Sequence, residues 1–161
     1  MKWKIPDTNA LVIMIVAMVE PGLVKSHKRT ASYFLEQDDA EKLIKRVELD
    51  KLLLLPNILT EVDNLLCGTF HDKYQPKYLS ILEILTQKAK EEYIPSKQAV
   101  KAGWVFSKLG ITDTLIINLA LHYRKGKLLD YVITGDSKLS DYLRGYNIPT
   151  YDIKAELNKK L

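Results

Sequence analysis

Cysteine occurs once in this chain, at Cys67, and histidine three times, at His27, His71 and His122. A single thiol closes no intramolecular disulfide, so a reducing compartment, the cytoplasm, is the expected location. The histidines stand near neither the cysteine nor one another, and the nitrogen and sulfur spacing of a zinc site is absent. Internal repeats, low-complexity tracts and long linkers are also missing. One domain over residues 1–161 is the expectation, because 161 residues can bury a sizeable core. Charge of one sign is in slight excess only: 24 Lys and Arg stand against 20 Asp and Glu, a net +4. That balance is compatible with a polyanionic partner without requiring one.

Long apolar runs are scarce as well. The longest, Ala10 to Val19, is too short to span a bilayer. Behind Lys2 and Lys4 it has the look of an export signal's apolar region. Asp7, Thr8 and Asn9 interrupt that pattern, and Glu20, Pro21 and Gly22 follow where a small-x-small cleavage site would be needed. The run is expected to be a buried first helix, and no membrane partner is expected.

What is present is an alternation of short apolar segments and helical patterns. Strands are expected at Trp3 to Pro6, Leu52 to Leu55, Tyr93 to Ile94, Tyr131 to Thr134 and Ile148 to Tyr151. The run Leu52 to Leu55, apolar throughout, suits a strand buried on both faces. Helices are expected from Thr8 to Met18, Lys28 to Leu35, Asp39 to Leu49, Asn57 to Leu66, Pro76 to Lys90, Ser96 to Lys108, Thr112 to Tyr123 and Ser137 to Leu143, with a lysine-rich helical tail. Asp38 or Asp39, Asn57 and Thr112 are candidate caps. Trp104 falls on an apolar helix face and is expected in the core. Strands alternating with helices indicate an α/β fold with a mainly parallel sheet, because parallel neighbours need helical crossovers. Functional sites in such sheets form beyond the carboxyl ends of the strands.

Acidic residues stand at those ends. Asp7 directly follows the first strand, and Glu61 lies one turn into the helix after the second. Asp113 opens a later helix, and Asp136 follows YVIT two residues on. Each has a local explanation. Asp7 and Asp136 suit helix N-caps, Asp113 suits the positive end of a helix, and Glu61 suits a solvated helix surface. A shared sheet edge would give them a joint one. Four carboxylates in one pocket repel unless cations neutralise them. Ligation by oxygen alone suits Mg²⁺ or Mn²⁺, ions that orient and acidify water beside phosphates.

The segments IPDTNAL, LPNILTEVDNLL, GITDTLIINLAL and YVITGDSKLSDYL, taken in order, resemble the four motifs of the PIN-domain ribonucleases, the fold of VapC-type toxins. The resemblance spans nearly the whole chain. It implies a three-layer α/β/α fold and a metal-dependent endoribonuclease acting on RNA. Asp7, Glu61, Asp113 and Asp136 would be its acidic ligands for Mg²⁺ or Mn²⁺, with Asn9 and Thr134 in support. An antitoxin protein and a second copy of the chain are partners that the resemblance implies. The segments Pro21 to Lys51 and Gly68 to Lys90 are longer than in the compact toxins, and the family also holds RNA-processing members and inactive binding modules. A haloacid-dehalogenase-like phosphatase also begins with a strand and D-x-D, but here Asn9 stands at the second aspartate and Glu61 would have no role. Candidate RNA contacts are Lys25, Lys28 and Arg29; Arg124, Lys125 and Lys127; and Lys138 with Arg144. Tyr142 and Tyr146 offer rings for unpaired bases.

Overall fold

The computed structural model describes residues 1–159. Five strands carry the fold: β1 (Trp3–Pro6), β2 (Leu53–Leu54), β3 (Lys90–Glu91), β4 (Leu129–Thr134) and β5 (Thr150–Asp152). The order β1-β4-β5 forms one parallel sheet, and β2 pairs with β3 in parallel beside it. A parallel bridge from Lys4 to Leu52 joins the two. The continuous spatial order is therefore β3-β2-β1-β4-β5. Ile5 is in register with Val132, and Thr134 with Asp152.

Nine helices connect and flank the strands among the described residues. They are α1 (Thr8–Val19), α2 (Gln37–Arg46), α3 (Pro56–Leu66), α4 (Tyr74–Lys88), α5 (Lys97–Lys101), α6 (Trp104–Leu109), α7 (Ile111–Lys125), α8 (Ser137–Gly145) and α9 (Ile153–Asn158). The chain moves outward in one direction from β1 through β2 to β3, then crosses β1 to reach β4 and β5. Parallel crossovers are right-handed, so this reversal assigns α1–α4 to one face and α5–α8 to the other. The result is consistent with a three-layer α/β/α arrangement. Helix α1 packs on α2, α3 and α4, and α7 packs on α5 and α6.

Burial follows the apolar runs. In α1 every residue from Ala10 to Ala17 is buried, as is Val19. A helix apolar on all sides is stable only when enclosed, and α1 lies under the sheet with α2–α4 around it. Leu52 to Leu55 are likewise buried, which explains why that strand shows no polar alternation.

Several local expectations are corrected. Lys28 to Leu35 is no helix. It is a run of turns with one 3₁₀ turn at Ala31–Tyr33. The buried Thr30 hydroxyl donates to the Val24 carbonyl at 2.9 Å, a side-chain bond that competes with helical pairing. Glu36, rather than Asp38 or Asp39, holds the N-cap of α2, and the Asp39 carboxylate accepts the Glu36 N–H at 3.0 Å. Leu55 and Gly110 hold the cap positions expected of Asn57 and Thr112. Pro56 begins α3 without needing a donor, and Gly110 turns at φ 83°, where a side chain is disfavoured. The strand expected at Tyr93 to Ile94 forms at Lys90–Glu91. There, the Lys90 and Glu92 amides donate to the Leu52 and Leu54 carbonyls at 2.9 Å each. Backbone pairing, not apolar character, sets that edge strand. The helix expected from Ser96 to Lys108 breaks at Gly103, φ 61°, and Trp104 is 66 % exposed rather than in the core.

Candidate active site

The strand order reverses between β1 and β4, and ligand sites in open α/β sheets form beyond the carboxyl ends of the strands at such a switch point. Asp7 leaves β1 there and is 2 % exposed. Its Oδ1 accepts the Ala10 amide at 2.6 Å, capping α1. Its Oδ2 accepts the hydroxyl of Thr134, the last residue of β4. Thr134 Oγ1 in turn accepts the Asp136 amide at 2.9 Å. Asp136 Oδ1 caps α8 by accepting the Lys138 and Leu139 amides at 2.7 and 3.0 Å. The local explanation for both aspartates is thus correct, and it coexists with their proximity: a cap fixes a carboxylate at a helix start, and both helix starts lie at one sheet edge.

Glu61, on the inner side of α3, reaches the same edge. Thr8 of α1 donates to its Oε2 at 2.7 Å, and Thr112 of α7 donates to Oε1. Asn57 Nδ2 donates to Thr112 Oγ1 at 3.0 Å. Because Asn57 and Thr112 do not cap their own helices, their side chains are free to tie α3 to α7. Glu61 therefore links helices from both faces of the sheet.

The charges of the other three acids reach Asp113. Burial, then the charges of Asp7, Asp136 and Glu61, raise Asp113 from 3.8 to about 7, with Lys138 opposing the rise. Burial raises Asp7 to about 6 against the hydrogen bonds from Thr134 and Ala10, and the Asp136 charge adds to the rise. Among the described residues, however, no three His, Cys, Asp or Glu side chains converge closely enough to hold a metal ion as they lie. Two hydroxyls hold both Glu61 oxygens, and Asp7 and Asp136 each point an oxygen at backbone amides. The donor set, all carboxylate, suits a hard cation in kind, and each Glu61 oxygen, accepting one hydroxyl, keeps a lone pair that an ion could take. Asn9, expected in support of Asp7, lies with its Cβ beside Gly135, on the side where Tyr33 packs. The support that Asp7 receives comes from Thr134 and the Ala10 amide.

Of the basic candidates, Lys138 acts on Asp113, and its ammonium also donates to the Lys108 carbonyl at 2.6 Å. Arg124 binds the Tyr146 and Asn147 carbonyls, Arg29 the Leu65 carbonyl at 3.2 Å, and Lys25 pairs with Glu36 at 2.6 Å. Arg144 lies 3.8 Å from Asp152. Tyr142 is half-buried against Trp104, with ring centroids 6.0 Å apart, and Tyr146 is exposed.

Four residues of the site go beyond the sequence expectations: Asn57 and Thr112, expected only as caps, and Thr8 and Tyr33. Thr8 was legible in principle, as the residue after Asp7. Tyr33 was not, for nothing in its neighbourhood of sequence marks it. Burial, then the charges of Asp7 and Asp136, push its hydroxyl up to about 12. Its ring lies over Gly135, where an added Cβ would meet Tyr33 Cε1 at 3.1 Å, Tyr33 Oη at 3.2 Å and Asn9 Cβ at 3.3 Å. Gly135→Ala should therefore push Tyr33 off the site. The expected cost is about 1–2 kcal/mol, the range of modest overpacking, read as a fall in Tm by thermal melting; an unchanged Tm would mean that Tyr33 does not pack there. The chain matches no protein-family model, no curated protein and no solved structure.

Proposed function

We propose that this chain is a PIN-like, metal-dependent endoribonuclease that hydrolyses RNA phosphodiester bonds. One observation carries the reading: the sheet's switch point brings Asp7 and Asp136, far apart in sequence, onto the same Thr134 hydroxyl, and the charges of Asp7, Asp136 and Glu61 all bear on Asp113. A cluster this repulsive costs stability, and a cation is the simplest agent that offsets the cost. Asp7, Glu61, Asp113 and Asp136 would hold Mg²⁺ or Mn²⁺. When bound, such an ion lowers the pKa of water and stabilises charge on phosphate oxygens.

The chain's own residues do the rest. Thr134 and the Ala10 amide fix the Asp7 carboxylate, limiting its rotation. Thr8 and Thr112 hold the two Glu61 oxygens in place in the same way. Lys138, beside Asp113, supplies a cation for the substrate phosphate. A role as the toxin of a toxin–antitoxin pair extends the same reading.

The separation of the carboxylates favours a second reading, a non-catalytic PIN-type module that binds RNA or protein. Cleavage of labelled RNA in Mn²⁺, with EDTA as control, separates the two. Metal-dependent cleavage supports the enzyme, whereas RNA left intact by pure protein at every Mn²⁺ concentration supports the module.

A further inference from the structure

Tyr33 has the acids on one side and a cavity on the other. The cavity, about 590 Å³, is walled by Tyr33, Phe34, Lys154 and Leu157 among others, and Asp39 and Lys154 carry its charges. The Lys154 ammonium sits 5.3 Å over the Tyr33 ring. Phe34 is 86 % exposed and stands at φ 56°, in the left-handed region. Asn, Asp and Gly take that conformation readily, and a bulky aromatic residue does so at a cost. Exposure of so large an apolar ring adds a second cost. A ring held outward in this way, beside a cation and a cavity of ligand size, has the chemistry of a base-stacking wall.

We propose that this cavity is a subsite for the nucleotide flanking the phosphodiester at the carboxylate cluster, with its base against Phe34 and its phosphate on Lys154. Tyr33 is the shared wall that joins subsite and cluster. The proposal rests on the ribonuclease reading and names the substrate element that the same site would grip. The chemistry is selective: a planar base suits the aromatic face, and a phosphate suits the single ammonium.

The test uses the full chain, with Phe34→Asn and Lys154→Ala. Asparagine keeps the left-handed backbone while removing the ring, so folding is expected to be retained, as checked by circular dichroism. A short random-sequence RNA with a 5′ fluorescein label is the probe. Cleavage kinetics are followed in Mn²⁺, anisotropy in EDTA, and cut ends are sequenced. Loss of one stacked base should raise KM and the dissociation constant by about fivefold or more, well beyond any fall in kcat. The preferred base beside the cut should also change. If wild type cleaves while both variants match it in KM, binding and cut-site preference, the subsite is overturned and the nuclease stands. If wild type never cleaves but binds RNA, and Phe34→Asn weakens that binding, the subsite stands and the nuclease falls. If wild type neither cleaves nor binds, both fall.

Discussion

Asp7→Asn should abolish RNA cleavage while leaving the protein folded. Asparagine is as good an N-cap as aspartate, so its carbonyl oxygen can keep the Ala10 amide bond that starts α1. The Thr134 hydroxyl, which donates to Asp7 Oδ2, can turn to accept from the new amide instead. Shape and packing at a site 2 % exposed are therefore preserved. The charge is not, and with it goes the anionic oxygen that Asp7 would offer the proposed metal. A loss of about 10³-fold in kcat/KM is expected, equivalent to about 4 kcal/mol of transition-state stabilisation. Cleavage of labelled RNA in Mn²⁺ gives the rate, and a thermal melt checks the fold. A variant that cuts within about tenfold of wild type, with an unchanged melt, would remove Asp7 from the chemistry.

Asp113→Asn should kill activity as well, yet make the metal-free protein more stable at pH 8. The Asp113 carboxyl has its folded pKa raised from 3.8 to about 7. Between about pH 4 and pH 7 the native state therefore holds a proton that the unfolded chain has released. Stability falls as pH rises through that window, and the full penalty is present above it. Asp7 contributes a smaller effect of the same sign between about pH 4 and pH 6. In EDTA, wild type should thus melt lower at pH 8 than at pH 5. Each pKa unit is worth about 1.4 kcal/mol, which sets a ceiling near 4 kcal/mol for Asp113. Partial solvation of the group and local relaxation reduce the expected gain to about 1–2 kcal/mol, a Tm rise of about 3–6 °C at this chain length. Mn²⁺ should reverse the ranking. Ligand at about a hundred times its dissociation constant stabilises the native state by about 2.7 kcal/mol, and the variant should lose most of that gain. A substitution that lowers the EDTA melt at pH 8 would show that Asp113 is not strained by its acidic neighbours.

The two predictions share an origin. Acids that serve as caps can be replaced by isosteric amides without structural loss, because the cap needs an oxygen and not a charge. Acids held near one another are better folded without charge. Asp113 carries the largest such rise, from burial and from the three acids that act on it, so on the proposed reading activity and stability move in opposite directions there.

The sheet's strands were legible where apolar residues are packed by both faces. The apolar run Leu52 to Leu55 holds β2 at Leu53–Leu54, and YVIT holds the end of β4, whereas Lys90–Glu91 carries no apolar mark because an exposed edge strand needs only a backbone partner. The caps divided in the same manner. Asp7 and Asp136 look like caps and are caps. Asn57 and Thr112 look like caps, but Pro56 and Gly110 begin those helices by backbone geometry alone, which releases both side chains toward Glu61. Helical spacing points Trp104 to the core, but the helix breaks at Gly103 and leaves it exposed.

By itself the sequence determined the alternation of elements, the all-apolar α1, the parallel sheet and the positions of the four acids relative to strand and helix ends. These are local matters, fixed by periodicity, by chain breakers and by the side chains that satisfy helix amides. Only the tertiary structure decided which acids feel one another, that Thr8 and Thr112 hold Glu61 between the two faces, and that Tyr33 closes over Gly135. Those contacts join residues separated by 51 to 53 positions for Glu61, and more than a hundred for Tyr33 and Gly135. Their existence depends on strand order and on the reversal between β1 and β4, and no local pattern in the chain encodes either.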